Sequence, residues 1–328
     1  MKILGIGNAL LDVLLRLESD DTLVKMGMKK GAMDLIGEAQ MRTIHQAQQG
    51  LKRDKAPGGS VCNTMRALAR LGAEVGYVGK VGSDETGAYY ERAVREAGVT
   101  PYFVHAEGIS GCSTVLISPD GERTMATFLG PAATLSASEI ADETLRAYDC
   151  VYIEGYLISN EALFLPVLQR IDKLGLKVAL DLSNFNIVNG FRDLLQEVIP
   201  RYVRILFSNE SEAEAYTGLP AGEAVQKISE QVDLSVVTVG KKGALVGSCE
   251  GVIAVPASGG NPVDTTGAGD NFAAGFLYGQ SVNASLEQSA RVGALLAGHV
   301  IETVGPQIPG DRWEQIKLKI KENIIRQP

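Results

Sequence analysis

Short apolar runs alternate with amphipathic stretches through most of the chain. The first apolar run covers residues 2–6, and similar runs recur at residues 75–81, 150–154, 177–182, 205–208 and 234–238. Between the runs, apolar residues return every three or four positions, which predicts helices, among them residues 86–97, 161–174, 190–199, 210–217 and 222–230. Short apolar strands that alternate with helices predict a mostly parallel sheet flanked by helices on both faces.

Residues 100–129 interrupt this alternation. Segments 102–104, 113–118 and 124–129 are β-rich and follow one another without a helix, so antiparallel hairpins are expected. Pro119-Asp120-Gly121 predicts the turn between the last two. Two stretches then predict a small β-rich lid, residues 13–55 and 100–129, over an α/β core of residues 1–12, 56–99 and 130–328. A lid over a core suits a reaction from which water is excluded.

Charge and cysteine usage exclude several classes of protein. The 328 residues include 31 Lys plus Arg and 39 Asp plus Glu, a formal net charge of −8, which argues against a nucleic-acid partner. The four cysteines form no C-x-x-C pair, which suits a reducing compartment. Asn8 and Asp12 interrupt the apolar N-terminus and no run is long enough for a membrane helix, so a cytoplasmic protein without membrane contact is expected.

Familiar nucleotide motifs are incomplete or missing. Gly5 and Gly7 follow the first apolar run, but Leu10 stands where a G-x-G-x-x-G fingerprint requires its third glycine. A nucleotide-binding oxidoreductase is therefore a weak alternative. No G-x-x-x-x-G-K-[ST] occurs, which excludes a P-loop enzyme.

The most informative segment lies before an apolar helix near the C-terminus, where residues 264–270 read D-T-T-G-A-G-D. Gly267, Ala268 and Gly269 expose successive backbone N–H groups at a helix start, where the macrodipole also favours an anion. This suits the charge that builds on a transferring phosphoryl group. An ionised Asp270 would repel such a ligand, so its presence at this site indicates a catalytic role. Accepting a proton from an attacking hydroxyl is one such role. The alternative is a helix-capping Asp270 beside a glycine turn.

Residues 264–275, D-T-T-G-A-G-D-N-F-A-A-G, resemble the C-terminal signature of the ribokinase-like PfkB carbohydrate kinases. This resemblance implies a ribokinase-like three-layer core, ATP as phosphate donor, an anion hole at Gly267, Ala268 and Gly269, and Asp270 as catalytic base. Four further motifs agree with the family in order and spacing. They are G-N-A-L-L-D at residues 7–12, G-G-S-V-C-N at 58–63, N-E-S-E at 209–212 and T-V-G at 238–240 followed by Gly243.

The resemblance also assigns roles to individual residues. It implies that the acceptor is held by Asn8, Leu10, Asp12, Gly58, Gly59, Ser60, Asn63 and Tyr156. It implies an ATP site at Asn209, Thr238, Gly240, Gly243 and Thr266, with Glu212 holding Mg²⁺, directly or through water. Taken singly, several of these have plain structural alternatives. Asn8 and Asn63 suit turns and caps, Glu212 suits a helix N-terminus, and Tyr156 suits the core.

Within the family, the chain is most similar to the adenosine kinase branch, in residues 7–12, 121–130, 153–157 and 180–185. That branch implies that Tyr156 stacks on a base, that Leu10 flanks it and that the lid residue Arg123 reaches the phosphates. Two positions depart from the branch, Ala9 where Pro is usual and Thr266 where Asn is usual. An adenosine-like nucleoside is therefore the first choice of acceptor, a free furanose such as ribose or fructose the second, and a phosphorylated hexose the third.

Three further expectations remain open. A catalytically inactive nucleoside-binding sensor would be favoured by loss of Asp270 or Gly269, and both are present. Some ribokinase-like enzymes bind K⁺, which would here use backbone carbonyls near Asp264, Thr266, Thr303 and Gly305. Edge strands of the lid offer pairing with a second copy, so both a monomer and a homodimer are compatible with the sequence.

Overall fold

The computed structural model describes residues 1–31, 33–47, 54–120 and 122–324. The strands are β1 Ile3–Ile6, β2 Leu10–Arg16, β3 Met33–Leu35, β4 Asp54–Gly58, β5 Val75–Gly82, β6 Thr100–Ala106, β7 Cys112–Ile117, β8 Arg123–Phe128, β9 Cys150–Glu154, β10 Lys177–Asp181, β11 Ile205–Asn209, β12 Leu234–Thr238, β13 Ala244–Ser248 and β14 Gly251–Val255. The helices are α1 Asp21–Lys25, α2 Glu38–Ala47, α3 Ser60–Leu71, α4 Glu85–Glu96, α5 Asp142–Arg146, α6 Phe164–Lys173, α7 Phe185–Gly190, α8 Arg192–Tyr202, α9 Glu210–Thr217, α10 Ala221–Ser229, α11 Ala268–Ser281, α12 Leu286–Val300 and α13 Trp313–Lys319.

Within the described ranges, a nine-stranded sheet forms the centre of the molecule. Its order is β14-β13-β12-β11-β10-β9-β1-β5-β6, and it is parallel except for the antiparallel pairs β12–β13 and β13–β14. Helices α3, α4, α11 and α12 cover one face, and α6, α8, α9 and α10 cover the other. The predicted three-layer α/β fold with a mostly parallel sheet is confirmed.

The apolar stripe of α3 shows how the sequence directs this packing. Val61, Met65 and Leu68 recur at helical spacing and are fully buried against the sheet. Gly72 ends the helix in the left-handed conformation, with φ of 93°, which glycine adopts without strain. Burial of this stripe places the first turn of α3, and with it Ser60 and Asn63, at the carboxyl ends of the central strands.

The strand order reverses around β1. The chain runs from β1 to β5 on one side and returns to β9 on the other, and both pairs are parallel. Loops that leave two neighbouring parallel strands in opposite directions open a crevice at their carboxyl ends. The crevice between β1 and β9 is therefore where this sheet offers a binding site.

A second sheet has five strands in the described residues, in the order β3-β8-β7-β2-β4. Burial in β2 alternates, so that Leu11, Val13 and Leu15 face the small core formed with α1 and α2, while Leu10 and Asp12 face the opposite side. Strands β7 and β8 form the predicted antiparallel pair. The same sheet also contains the parallel pairs β2–β7 and β3–β8, which hairpins alone cannot provide.

The structure corrects two details of the predicted elements. Strand β6, expected in the lid, pairs in parallel with β5 in the large sheet, because α4 crosses between them and returns the chain in the same direction. The helix expected at residues 190–199 is present as α8, and the short helix α7 before it, which Asn184 caps, is an addition to the predicted elements. Residues 48–53 of the predicted lid, and Gly121 of the predicted turn, lie outside the described residues. No helix in the described ranges is long and apolar enough to cross a bilayer.

Candidate active site

A cavity of about 630 Å³ lies where the crevice of the large sheet meets the inner face of the small sheet. Residues at or just beyond the carboxyl ends of β1, β9, β10, β11 and β12 line one side, namely Asn8, Glu154, Asp181, Asn209 and Thr238. The small sheet contributes Leu10, Asp12, Ser113, Met125 and Thr127. The two sheets thus enclose a pocket with polar groups on one wall and several apolar side chains on the other.

The predicted anion hole begins α11 beside this cavity. Gly267 has a φ of 76°, and a Cβ at this position would collide with Pro306, so glycine is required there. The Ala268 amide donates to the Thr265 carbonyl at 3.2 Å and is therefore occupied. Within the described residues, the amides of Gly267 and Gly269 have no backbone acceptor and remain available to an anion.

Asp270 lies in the first turn of α11 and lines the cavity. Ser60 Oγ donates to its Oδ1 at 2.7 Å, and Asn63 Nδ2 donates to its Oδ2 at 2.9 Å. Burial raises the pKa of Asp270 to about 7, an effect that these two donors oppose and the nearby Asp181 reinforces. The carboxyl group forms no ion pair in the described structure and caps no backbone amide, so the capping alternative does not describe it.

Four other carboxyl groups line the same cavity. Burial is the main cause that raises the pKa of each, to about 7 for Asp12, Glu154 and Glu212 and to about 6 for Asp181. No Lys or Arg is among the described residues that line the cavity. Carboxyl groups repel a phosphate ester when they are ionised, so this pocket could hold one together with a cation such as Mg²⁺.

Glu154 joins the two sides of the crevice. Its Oε1 accepts from both the backbone N and the Nδ2 of Asn8, at 2.8 and 2.7 Å, and its Oε2 accepts from the Val61 amide. The Asn8 side chain is thereby fixed just beyond the carboxyl end of β1. Glu154 belongs to none of the predicted site residues, although it ends a predicted strand, where side chains of open α/β sheets commonly contact ligands.

The glycine pair between β4 and α3 fits closely around the acceptor-side residues. A Cβ on Gly58 would collide with the Asp12 carboxyl group, and one on Gly59 would collide with the Asn8 carbonyl. Gly59 also has a φ of 89°. Glycine is therefore required at position 59, whereas a side chain at position 58 would have to displace the Asp12 carboxyl group. Asn63 differs from the expectation of an amide pointing into the substrate pocket, because it lies behind Asp270 and hydrogen-bonds to it.

Arg123, at the start of β8, connects the small sheet to the anion loop. Its guanidinium forms an ion pair with Asp264, and its Nη1 donates to Thr266 Oγ1 at 2.8 Å. Asp264 also accepts from the amides of Thr266 and Gly305. The Asp264 carboxylate is thus already neutralised by Arg123, and a K⁺ site at the neighbouring backbone carbonyls stays a prediction.

The residues predicted for ATP divide into two groups. Asn209, Thr238 and Thr266 line the cavity, whereas Gly240 and Gly243 lie in the turn between β12 and β13, outside that lining. Asn209 and Glu212 form a capping box on α9, in which Glu212 accepts from the Asn209 amide at 2.8 Å. The capping reading of Glu212 therefore applies, and its buried carboxyl group still faces the cavity.

The remaining predicted residues follow the same pattern. The cavity brings together Asn8, Leu10, Asp12, Gly59, Ser60, Tyr156, Asn209, Glu212, Thr238, Thr266, Gly267, Ala268, Gly269 and Asp270, while Gly58, Asn63, Arg123, Gly240 and Gly243 stand outside its lining. Besides Glu154, the cavity lining includes Asp181 and Ser183, which are not among the predicted site residues. Ser183 has a φ of 65°, and its carbonyl accepts from the Tyr156 hydroxyl at 3.3 Å. Asp181 could have been found, since it ends a predicted strand.

Comparisons with known proteins agree with this geometry. The model of the pfkB family carbohydrate kinases matches residues 21–313. An adenosine kinase from Saccharomyces cerevisiae is 29% identical over 337 residues, covering 94% of this chain and 96% of that protein. An uncharacterized sugar kinase from Archaeoglobus fulgidus is 30% identical over 240 residues, covering 73% and 95%.

A solved structure extends this likeness to the whole fold. The crystal structure of an adenosine kinase from Sinorhizobium meliloti superposes with a TM-score of 0.87 at 31% identity, covering 98% of this chain and 99% of that one. Sequence and fold agree over nearly the full length of each chain. The protein belongs to the pfkB family of carbohydrate kinases and is a kinase of that family.

Proposed function

We propose that this kinase transfers the γ-phosphoryl group of ATP to a primary hydroxyl of an adenosine-like nucleoside, with Asp270 as the general base. The observation that carries the proposal is the surroundings of Asp270. Its carboxyl group meets only neutral donors, lines the cavity, and has a pKa raised to about 7. A base with a pKa near the working pH accepts a proton readily and is still ionised in a useful fraction.

Each step has a group in place. Ser60 and Asn63 hold the Asp270 oxygens so that each oxygen keeps one lone pair free to accept from the acceptor hydroxyl. The Gly267 and Gly269 amides, at the positive end of α11, stabilise charge that develops on the phosphoryl oxygens. Arg123 reaches the same loop from the small sheet and pairs there with Asp264, so closure of this sheet excludes water, and a guanidinium that moved from Asp264 to the phosphates would add positive charge.

ATP would lie along Asn209, Thr238 and Thr266, and Mg²⁺ would be held at Glu212, through water. The fit rests on the buried Glu212 carboxyl group beside the cavity; because no three His, Cys, Asp or Glu side chains of the described residues cluster as metal ligands, water and phosphate oxygens would supply most of the coordination. When bound, Mg²⁺ neutralises phosphate oxygens. The chain's own carboxyl groups would then keep their ionised forms at lower pH, because a nearby cation favours the charged state.

The lid side of the cavity favours a nucleoside over a free sugar. Leu10, Leu35 and Met125 form an apolar wall of the cavity. Leu35 is 74% exposed, so a bound base would bury apolar surface there. An apolar wall with Tyr156 nearby suits a flat base. Asp12, between Asn8 and Gly58, suits vicinal hydroxyls, which a ribose offers whether or not it carries a base. A free furanose is therefore the second candidate, consistent with the family's sugar kinases.

Asp270→Asn tests the assigned base. The variant keeps an acceptor for Ser60 or Asn63, so ligand binding is expected to survive while kcat falls by roughly 10²–10⁴. Turnover at the wild-type level would refute the assignment. Nucleoside binding by calorimetry shows whether the variant site is intact.

An ATP-consumption screen identifies the acceptor. Adenosine, inosine, ribose, fructose and fructose phosphates are compared at equal concentrations, and Asp270→Asn reports any contaminating kinase. Adenosine or inosine is expected to give the highest kcat/KM. Preference for ribose or fructose would replace the nucleoside with the second candidate, and activity with none would leave the sensor alternative.

A further inference from the structure

A chain of side-chain amides runs from Asp270 away from the cavity. Asn63 Nδ2 donates to Asp270 Oδ2 at 2.9 Å, and Gln307 Nε2 donates to Asn63 Oδ1 at 2.9 Å. Ser60 Oγ donates to the other carboxyl oxygen, Oδ1, so each oxygen of Asp270 accepts one hydrogen bond from a neutral donor. This series of hydrogen bonds therefore ends at the Gln307 side chain, and Gln307 belongs to none of the sequence motifs described above.

The chemistry of the groups fixes the direction of this chain. An ionised carboxylate only accepts hydrogen bonds, so Asn63 must turn its NH₂ toward Asp270. Its carbonyl oxygen then faces the other way and needs a donor, which is the Gln307 NH₂. The two ends of an amide have almost the same shape, so packing alone does not select between them. In the structure, Gln307 is the donor that matches the orientation of Asn63 required by an ionised Asp270.

Gln307 is held in place by the anion loop itself. Asn271 Nδ2 donates to both the Gly267 and the Pro306 carbonyls, at 2.9 and 3.1 Å. Thr303 Oγ1 donates to the Gln307 carbonyl at 3.3 Å. These bonds hold the backbone on both sides of the Gln307 side chain, which keeps its amide within hydrogen-bond reach of Asn63.

We propose that Gln307 is a positioning residue, which keeps the Asn63 amide turned so that it supports the ionised form of Asp270. The inference rests on the proposed role of Asp270 as general base. Without Gln307, the Asn63 amide is free to reverse. Its carbonyl would then face the carboxyl group, where it stabilises the protonated acid by accepting its hydrogen and repels the ionised base.

Other charged groups around Asp270 stay unchanged in such a variant. The carboxyl groups of Asp12, Glu154 and Asp181 face it from β2, β9 and β10. The Arg66 and Arg70 guanidiniums of α3 line a smaller cavity of about 110 Å³ with Asn63 and Gln307. Since Gln307 is neutral, replacing it by Leu alters no charge, and a moved pH profile would report the Asn63 amide.

The test compares kcat/KM from pH 5 to 9 in the wild type, Gln307→Leu and a matched control. Gln280→Leu is the control, because Gln280 is also a half-buried glutamine with one donated bond, to Ser289 at 2.9 Å, far from the cavity. We expect the acidic limb of Gln307→Leu to move up by about one pH unit, which is about a tenfold loss of kcat/KM on that limb and a small loss above pH 8. The KM for ATP and the Gln280→Leu profile are expected to stay unchanged.

Two further variants exclude a merely structural role. In an Asn63→Ala background, Gln307→Leu is expected to have no additional effect, because its partner is gone. Gln307→Met preserves length and adds no charge but cannot donate to the Asn63 carbonyl, so the same upward movement of the acidic limb is expected. This variant carries the test if Gln307→Leu does not fold.

The outcomes separate this inference from the proposed function. If Asp270→Asn is as active as the wild type, the general base itself is wrong and Gln307 loses its role with it. If Asp270→Asn is inactive while the folded Gln307 variants leave the acidic limb in place, only the positioning role is wrong. Additive effects of Asn63→Ala and Gln307→Leu would also overturn it.

Discussion

Replacing Asp270 by Asn should stabilise the fold at neutral and alkaline pH, as well as reduce turnover. In the folded protein, burial raises the Asp270 pKa to about 7 from its ordinary 3.8. Between these two values the folded state holds a proton that the unfolded chain has already released. Stability therefore falls as the pH rises through this window, and the full penalty is present above pH 7.

The size of the effect follows from the same values. The difference between 3.8 and about 7, at about 1.4 kcal/mol per pH unit, sets an upper limit of about 4 kcal/mol. Asp270 lines an open cavity and is only half-buried, so solvent reduces this figure. We expect a net gain of roughly 1–2 kcal/mol for Asp270→Asn at pH 8 and almost none at pH 4.

The assay is urea unfolding of the wild type and Asp270→Asn at pH 4, 6 and 8. The informative quantity is the change with pH of the difference between the two free energies of unfolding, because effects of the substitution that do not involve the Asp270 proton, such as altered packing, contribute equally at each pH. Asp311→Asn, at an exposed helix start, is the control and should show no such change. A difference that is constant from pH 4 to 8 would refute the reasoning.

Two further predictions concern the anion loop. Arg123→Gln removes the ion pair with Asp264 and is expected to lower kcat on the order of 10³-fold. Arg123→Lys keeps the positive charge and is expected to recover part of the lost kcat. Equal stopped-flow or steady-state rates in the wild type and both variants would contradict this prediction. Gly267→Ala meets both a φ of 76° and the Pro306 backbone, so we expect a loss of roughly 1–3 kcal/mol in unfolding free energy, measured by urea titration. Gly269→Ala is its control, because a Cβ there meets no atom within 4 Å; equal losses in both variants would argue against the strain at Gly267.

The sequence by itself determined the features that depend on local pattern. The spacing of Val61, Met65 and Leu68 predicted α3, and alternating strands and helices predicted the parallel sheet. The small residues before Asp270 predicted a helix start that leaves amides open. Each of these depends on residues within a few positions of one another, so the local sequence contains the necessary information.

The tertiary structure alone decided which distant residues meet. Strand β6 joins the large sheet rather than the lid, because the crossover through α4 fixes its direction. Gln307 reaches Asn63 across 244 positions, and Arg123 reaches Asp264 across 141. No short-range pattern encodes such pairs, since they follow from how all layers pack together. The same packing removes water from Asp270 and so raises its pKa, a property that exists only once the cavity around it has formed.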